Sequence, residues 1–172
     1  MKQDSEITVS PQQLELLGSG HRFRDEFCEM LEHIYNDLEW AEIRDMSSYM
    51  KVYRIHAGAT LFHEGEDGNY MCTVIAGKVD VHKENWHFEN KVVASIEKGK
   101  MFGEMSMVDG EPRSATAVIA TEAILAILTR KDFKRLVDEK PALGVKILMR
   151  VARQLSQRLR RTSGILVDYL EG

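Results

Sequence analysis

In the stretch FGEMSMVDGEPRSATA, Phe102 to Ala117, one carboxylate and one guanidinium stand among small residues: Glu104 and, nine positions on, Arg113. Arginine clasps a phosphate through two parallel hydrogen bonds, where lysine supplies only a point charge. Ser114 and Ala115 follow with small side chains that leave their amides accessible. Gly103 lets a ligand approach the backbone closely, because no Cβ stands in the way. The run Glu104-Met105-Ser106-Met107 reads as a single helical turn whose free N–H groups, those of Glu104 and Met105 included, favour an anion. A carboxylate beside an anion needs a reason, since like charges repel. Ionised carboxylates only accept hydrogen bonds, so the partner on a phosphorylated ligand is a hydroxyl. The two residues together describe a sugar phosphate; the alternative is a solvated ion pair worth little.

Such a site needs a scaffold that turns often. From about Val52 the sequence alternates with period two and is punctuated by Gly58, Gly65, Gly68, Gly77, Gly99, Gly103 and Gly110, which predicts short strands in an antiparallel β-roll or barrel. In GKVDVHK, Val79 and Val81 share one face while Lys78, Asp80 and His82 share the other. KENWHFENK, Lys83 to Lys91, reads as the polar end of a hairpin returning through Val92 and Val93. Residues 11–50 carry Leu14, Leu17, Phe27, Leu31 and Ile34 at helical spacing and predict two or three helices, with Gly18-Ser19-Gly20 closing the first short one. Thr129 followed by Asp132 predicts a helix N-cap, and Pro141 suits the first turn of a longer helix.

That last helix carries Leu148, Ala152, Leu155, Leu159, Thr162, Leu166 and Tyr169 in an alternating four-three step. The stripe fits a helix dimer or packing on the chain's own roll, and the polar Thr162 in the seam favours the dimer. The expected domains are a helical segment at 1–45, a β-roll at 46–140 and the final helix at 141–172. Gly65, Gly68 and Gly77 are read as left-handed turn residues, and Met101, Met105 and Met107 as core filler.

A chain of 172 residues with 44% apolar content can bury a core of its own, and its net charge of −4 does not favour a bulk polyanion. Two cysteines, Cys28 and Cys72, without paired spacing argue against a disulfide framework or a structural zinc cluster and fit a reducing cytosol. Nothing in the sequence reads as a signal peptide or a bilayer span, so the expected location is the cytoplasm. Arg150, Arg153, Arg158, Arg160 and Arg161 form a basic stretch, read as a solvated face with docking of an acidic partner or nucleic acid as the alternative.

The cassette FGEMSMVDGEPRSATA resembles the phosphate-binding cassette of the cyclic nucleotide-binding domain family. The likeness extends through GATLFHEGEDGN, VIAGKVDV and IEKGKMFGE, over roughly residues 40–140. It implies that Glu104 binds the ribose 2′-hydroxyl, that Arg113 pairs with the cyclic phosphate, and that Gly103, Glu104, Ser114 and Ala115 supply backbone donors. The tail QLSQRLRRTSGILVDYL is similar to the dimerisation helix of bacterial cyclic-AMP receptor regulators, which implies that Thr162 and Ser163 contact the adenine. Those two residues favour cyclic AMP, although a hydroxyl after the arginine, here Ser114, also suits cyclic GMP.

Transcription regulators of that type continue into a helix-turn-helix domain. This sequence runs from Met1 to Gly172, and the expectation is a freestanding homodimeric sensor acting through an unidentified effector protein, with a truncated regulator as the alternative. No catalytic constellation accompanies the cassette, so binding without turnover is expected, with no metal and no cofactor beyond the nucleotide ligand. The six histidines keep a cupin-like metal enzyme in view, but such a site needs a close histidine pair and no His-x-His occurs.

Overall fold

Among the described residues, seven strands pair antiparallel in the order β1-β2-β7-β4-β5, with β3 on β7 and β6 on β4, as the glycine-punctuated alternation predicts for a β-roll. They are β1 (Leu14–Ser19), β2 (Lys51–Ile55), β3 (Thr60–Phe62), β4 (Tyr70–Glu84), β5 (Asn90–Glu97), β6 (Met101–Phe102) and β7 (Thr116–Thr129). The computed structural model describes residues 9, 13–19, 24–84 and 90–170; the tip of the predicted hairpin, 85–89, lies outside them. β4 and β7 form the spine, from Tyr70 opposite Thr129 to His82 opposite Thr116.

The first half of β4 is apolar apart from Thr73, which is hydrogen-bonded to Tyr35 Oη, because both its faces are covered. Tyr70, Cys72 and Val74 pack inside the roll with Phe62 and Phe102, while Met71 and Ile75 pack outside it beneath the helices. The register with β7 slips around Gly77, and alternation returns beyond it: Val79 is buried between half-buried Lys78 and Asp80.

The helices are α1 (Arg24–Glu32), α2 (Trp40–Ser47), α3 (Glu104–Asp109), α4 (Arg130–Glu139) and α5 (Pro141–Leu170). The segment read as a first short helix is instead β1, which runs along β2 with Leu14 opposite Ile55 and Ser19 opposite Lys51. A sheet edge offers unpaired backbone groups, whereas a piece this short cannot sustain an isolated helix. Thr129 caps α4, its Oγ1 accepting from the Asp132 amide at 3.0 Å, and Pro141 opens α5.

Leu143, Ile147 and Val151 repeat every fourth residue and bury one face of α5 in the cluster formed by α1, α2 and the outer face of the sheet. Its basic stretch does not simply face water. Arg150 stacks over Tyr35 at 4.4 Å and donates to Asp37 Oδ1 at 2.8 Å, and Arg153 reaches Asp37 Oδ2 at 3.3 Å. Arg160 and Arg161 are exposed. The part of the stretch predicted to be a solvated face therefore fastens α5 to the turn after α1, because only one side of a helix lies against the body.

Candidate functional site

Glu104 and Arg113 are brought together by β6, α3 and the approach to β7. Met101 and Phe102 of β6 pair with Thr73 and Cys72 of β4, after which the chain turns through Gly103 at φ 73° and α3 begins at Glu104. A Cβ on Gly103 would stand 2.7 Å from Arg113 Nη1, so this glycine serves both the left-handed turn and the arginine beside it. The Arg113 guanidinium lies 4.1 Å from the Phe62 ring centroid and 4.5 Å from that of Tyr70. It donates to Gly103 O at 2.8 Å and to Tyr70 O at 2.9 Å. The guanidinium thus touches the residue that precedes Glu104.

The loop between β3 and β4 closes over the arginine's own backbone. Gly65 N–H donates to Arg113 O at 2.9 Å, and Arg113 N–H donates to Glu66 O at 2.8 Å. Gly65 and Gly77 have positive φ, as expected of turn residues, but Gly68 does not. Its role is clearance: a Cβ there would come within 2.4 Å of Ser106 Cβ and 3.0 Å of Arg113 Nε. Arg130, at the start of α4, binds Gly68 O at 2.9 Å and also Ser106 O, tying this loop to α3.

Glu104 is not in a solvated ion pair with Arg113. It is 1% exposed, and its Oε1 accepts from Arg158 Nη1 of α5 at 2.6 Å. Burial pushes its carboxyl above the usual carboxylate range, against the downward pull of Arg158 and, less strongly, Arg113. Arg158 also donates to Met101 O. One turn earlier, Gln154 Nε2 donates to Met101 O at 2.6 Å and its Oε1 accepts from Met101 N at 2.9 Å. Among the described residues, two buried side-chain polar atoms are left without a protein partner: Glu104 Oε2 and Arg113 Nε. Such atoms are rare in folded proteins and cost about 1–3 kcal/mol each.

The remaining predicted residues sit at different distances from this pair. Ser114 and Met105 face each other across the cassette, Ser114 Oγ donating to Met105 Sδ at 3.5 Å. Met101 is buried and Met107 packs on the core, but Met105 is 42% exposed and is not core filler. In this helix Glu104 and Ser106 are the buried residues, and Met105 between them is left facing out. Thr162 and Ser163 are exposed on α5, about 6 Å along the helix axis beyond Arg158. They form no hydrogen bond with the cassette among the described residues. A cleft of about 160 Å³ between α3, α4 and α5 meets Glu104 together with Met71, Met107, Phe133 and Leu148, and includes none of the other predicted ligand residues.

Cys28 and Cys72 are both free and buried, and burial pushes the Cys72 thiol up to about 12, too high for a nucleophile. Among the described residues no three His, Cys, Asp or Glu side chains are grouped to hold a metal, and no helix is long and apolar enough to cross a membrane.

Arg158, Arg130 and Lys83 support the site without having been singled out for it. Arg158 lay within a run of arginines that reads as surface charge, and no local pattern distinguishes the one that turns inward. Lys83, at the end of β4, donates to Ser114 O at 2.8 Å and pairs with Glu64 at 2.5 Å.

A sheet of this topology, a glycine bend before a buried glutamate, and a buried arginine in the loop leading into β7 fit a nucleotide-binding β-roll. The family model for the cyclic nucleotide-binding domain matches residues 53–140, and the chain belongs to that family. A cyclic nucleotide-binding domain from Methylobacillus flagellatus is similar at 32% identity and a TM-score of 0.78, over 87% of this chain and 85% of that one. The Thermus thermophilus catabolite activator protein is similar at 29% identity and a TM-score of 0.68, over 80% of this chain and 62% of its own. Among curated relatives, the CRP-like cAMP-activated global transcriptional regulator of Mycobacterium tuberculosis is 27% identical over 80% of this chain and 59% of its own length. The chain thus spans about three fifths of that relative's length.

Proposed function

We propose that this protein is a non-catalytic cyclic nucleotide sensor, selective for cyclic AMP over cyclic GMP, working as a cytoplasmic homodimer that signals to a partner protein. Glu104 Oε2 accepts from the ribose 2′-hydroxyl, and Arg113 binds the cyclic phosphate together with the amides of Gly103, Glu104, Met105, Ser114 and Ala115. The base meets Thr162 and Ser163. The observation that carries this reading is the pair of unpartnered buried atoms, Glu104 Oε2 and Arg113 Nε, both in the one cassette. Similarity to cAMP-activated regulators supports the choice of nucleotide.

Calorimetric titration with both nucleotides tests it. One site per chain is expected, with tighter binding of cyclic AMP and no consumption of either nucleotide. Absence of binding by both overturns the reading.

The second half of α5 supports the dimer. Of the predicted seam, Leu155 packs on the chain's own core, whereas Leu159 and Leu166 are 69% and 56% exposed, although nothing in their chemistry favours water. An unpartnered apolar stripe of this kind is the seam of a helix pair. The wild-type chain is expected to sediment as a dimer at micromolar concentration and Leu159→Glu as a monomer; a monomeric wild type refutes the assignment. Arg158 and Gln154 already bind α5 to Met101 and Glu104, so a ligand seated between cassette and helix favours one arrangement of the seam over another. That difference in affinity between arrangements is what a signal requires.

A further inference from the structure

We propose that Lys83 is a positioning residue of the phosphate cradle: it holds the Ser114–Ala115 peptide with its amide turned toward the ligand. The inference rests on the cyclic nucleotide reading and deepens it.

Lys83 stands at the far end of β4 from Tyr70. Its Nζ donates to Ser114 O at 2.8 Å and to Glu64 Oε1 at 2.5 Å. Glu64 is itself fixed, since its backbone amide donates to Thr116 Oγ1 at 3.0 Å, and the Lys83 hydrogen bond holds its carboxyl below the usual carboxylate range. One ammonium therefore joins three pieces of chain: β4, the β3–β4 loop and the strand approach that follows Arg113. In a trans peptide the carbonyl and the next amide point in opposite directions. With the Ser114 carbonyl drawn to Lys83, the Ala115 N–H is turned to the other side of the strand. The same loop fixes Arg113 through Gly65 and Glu66, so guanidinium and amide are oriented by one clamp. Half-exposed lysine pairs of this kind add little to stability, which separates the positioning role from a merely structural one.

The test uses the full chain and its Lys83→Met and Lys83→Arg variants. Each is titrated with cyclic AMP and with the two phosphorothioate diastereomers, in which sulfur replaces one or the other exocyclic oxygen. Lys83→Met is expected to bind cyclic AMP about five- to tenfold more weakly and to alter the ratio of affinities for the diastereomers, while Lys83→Arg stays within about twofold of wild type. Its melting temperature is expected to remain within about 2 °C of wild type. Unchanged affinity and an unchanged diastereomer ratio in Lys83→Met overturn the inference alone. So does an equal loss for all three nucleotides that follows a fall in melting temperature. A wild-type chain that binds no cyclic nucleotide overturns the reading beneath it as well.

Discussion

Arg113→Lys is expected to weaken cyclic AMP binding by roughly one to two powers of ten while the chain still folds, at reduced stability. The affinity loss follows from geometry. An ammonium carries the same charge, yet it cannot bind the carbonyls of Gly103 and Tyr70, pack against the Phe62 and Tyr70 rings and still present another N–H to a phosphate. The stability loss has a separate origin. One buried carbonyl left without its donor costs about 1–3 kcal/mol, and part of the stacking with two rings is lost too. Calorimetry at a temperature where both proteins are folded reads the first effect, and urea denaturation without ligand reads the second. Equal affinity in variant and wild type would refute the assignment of the phosphate to this side chain.

Arg158→Met is expected to destabilise the chain in a pH-dependent manner. Burial raises the Glu104 carboxyl, and Arg158 is the strongest influence drawing it down again. A carboxyl raised by folding contributes stability that is fully present below the ordinary carboxylate range and lost as pH rises through the raised value. Removing the arginine raises that value further and deepens the loss at neutral pH, where the variant must fold around a buried charge or take up a proton. The difference from wild type is therefore small in acid and grows toward neutrality. It reaches about 1–3 kcal/mol there, less than for a fully enclosed pair because the Arg158 side chain is 37% exposed. Urea midpoints at pH 5 and pH 8 measure it. A difference that does not change with pH would show that Arg158 acts through packing alone.

Both predictions depend on partners that could be recognised to very different degrees from the residues themselves. Arg113 was legible because its neighbours in sequence carry the signal: the glycine bend before Glu104, the turn at Asp109 to Pro112, and the small residues after it all constrain one continuous stretch of backbone. Arg158 was not, since it meets Glu104 across a separation of 54 residues and looks like its neighbouring arginines until α5 is laid on the roll.

The sequence by itself determined the antiparallel roll, the Thr129 cap, the Pro141 helix start and the cassette that joins carboxylate to guanidinium. These follow from backbone preference and from the period of apolar residues, which act between near neighbours. Tertiary structure alone decided that Leu14–Ser19 is a strand, that Gly68 supplies clearance and not a left-handed turn, that Met105 faces outward, and that the acid of the site is paired with the last helix. Each of those depends on which distant surface the segment meets, and burial, edge pairing and charge pairing take their energies from that surface, not from the local chain.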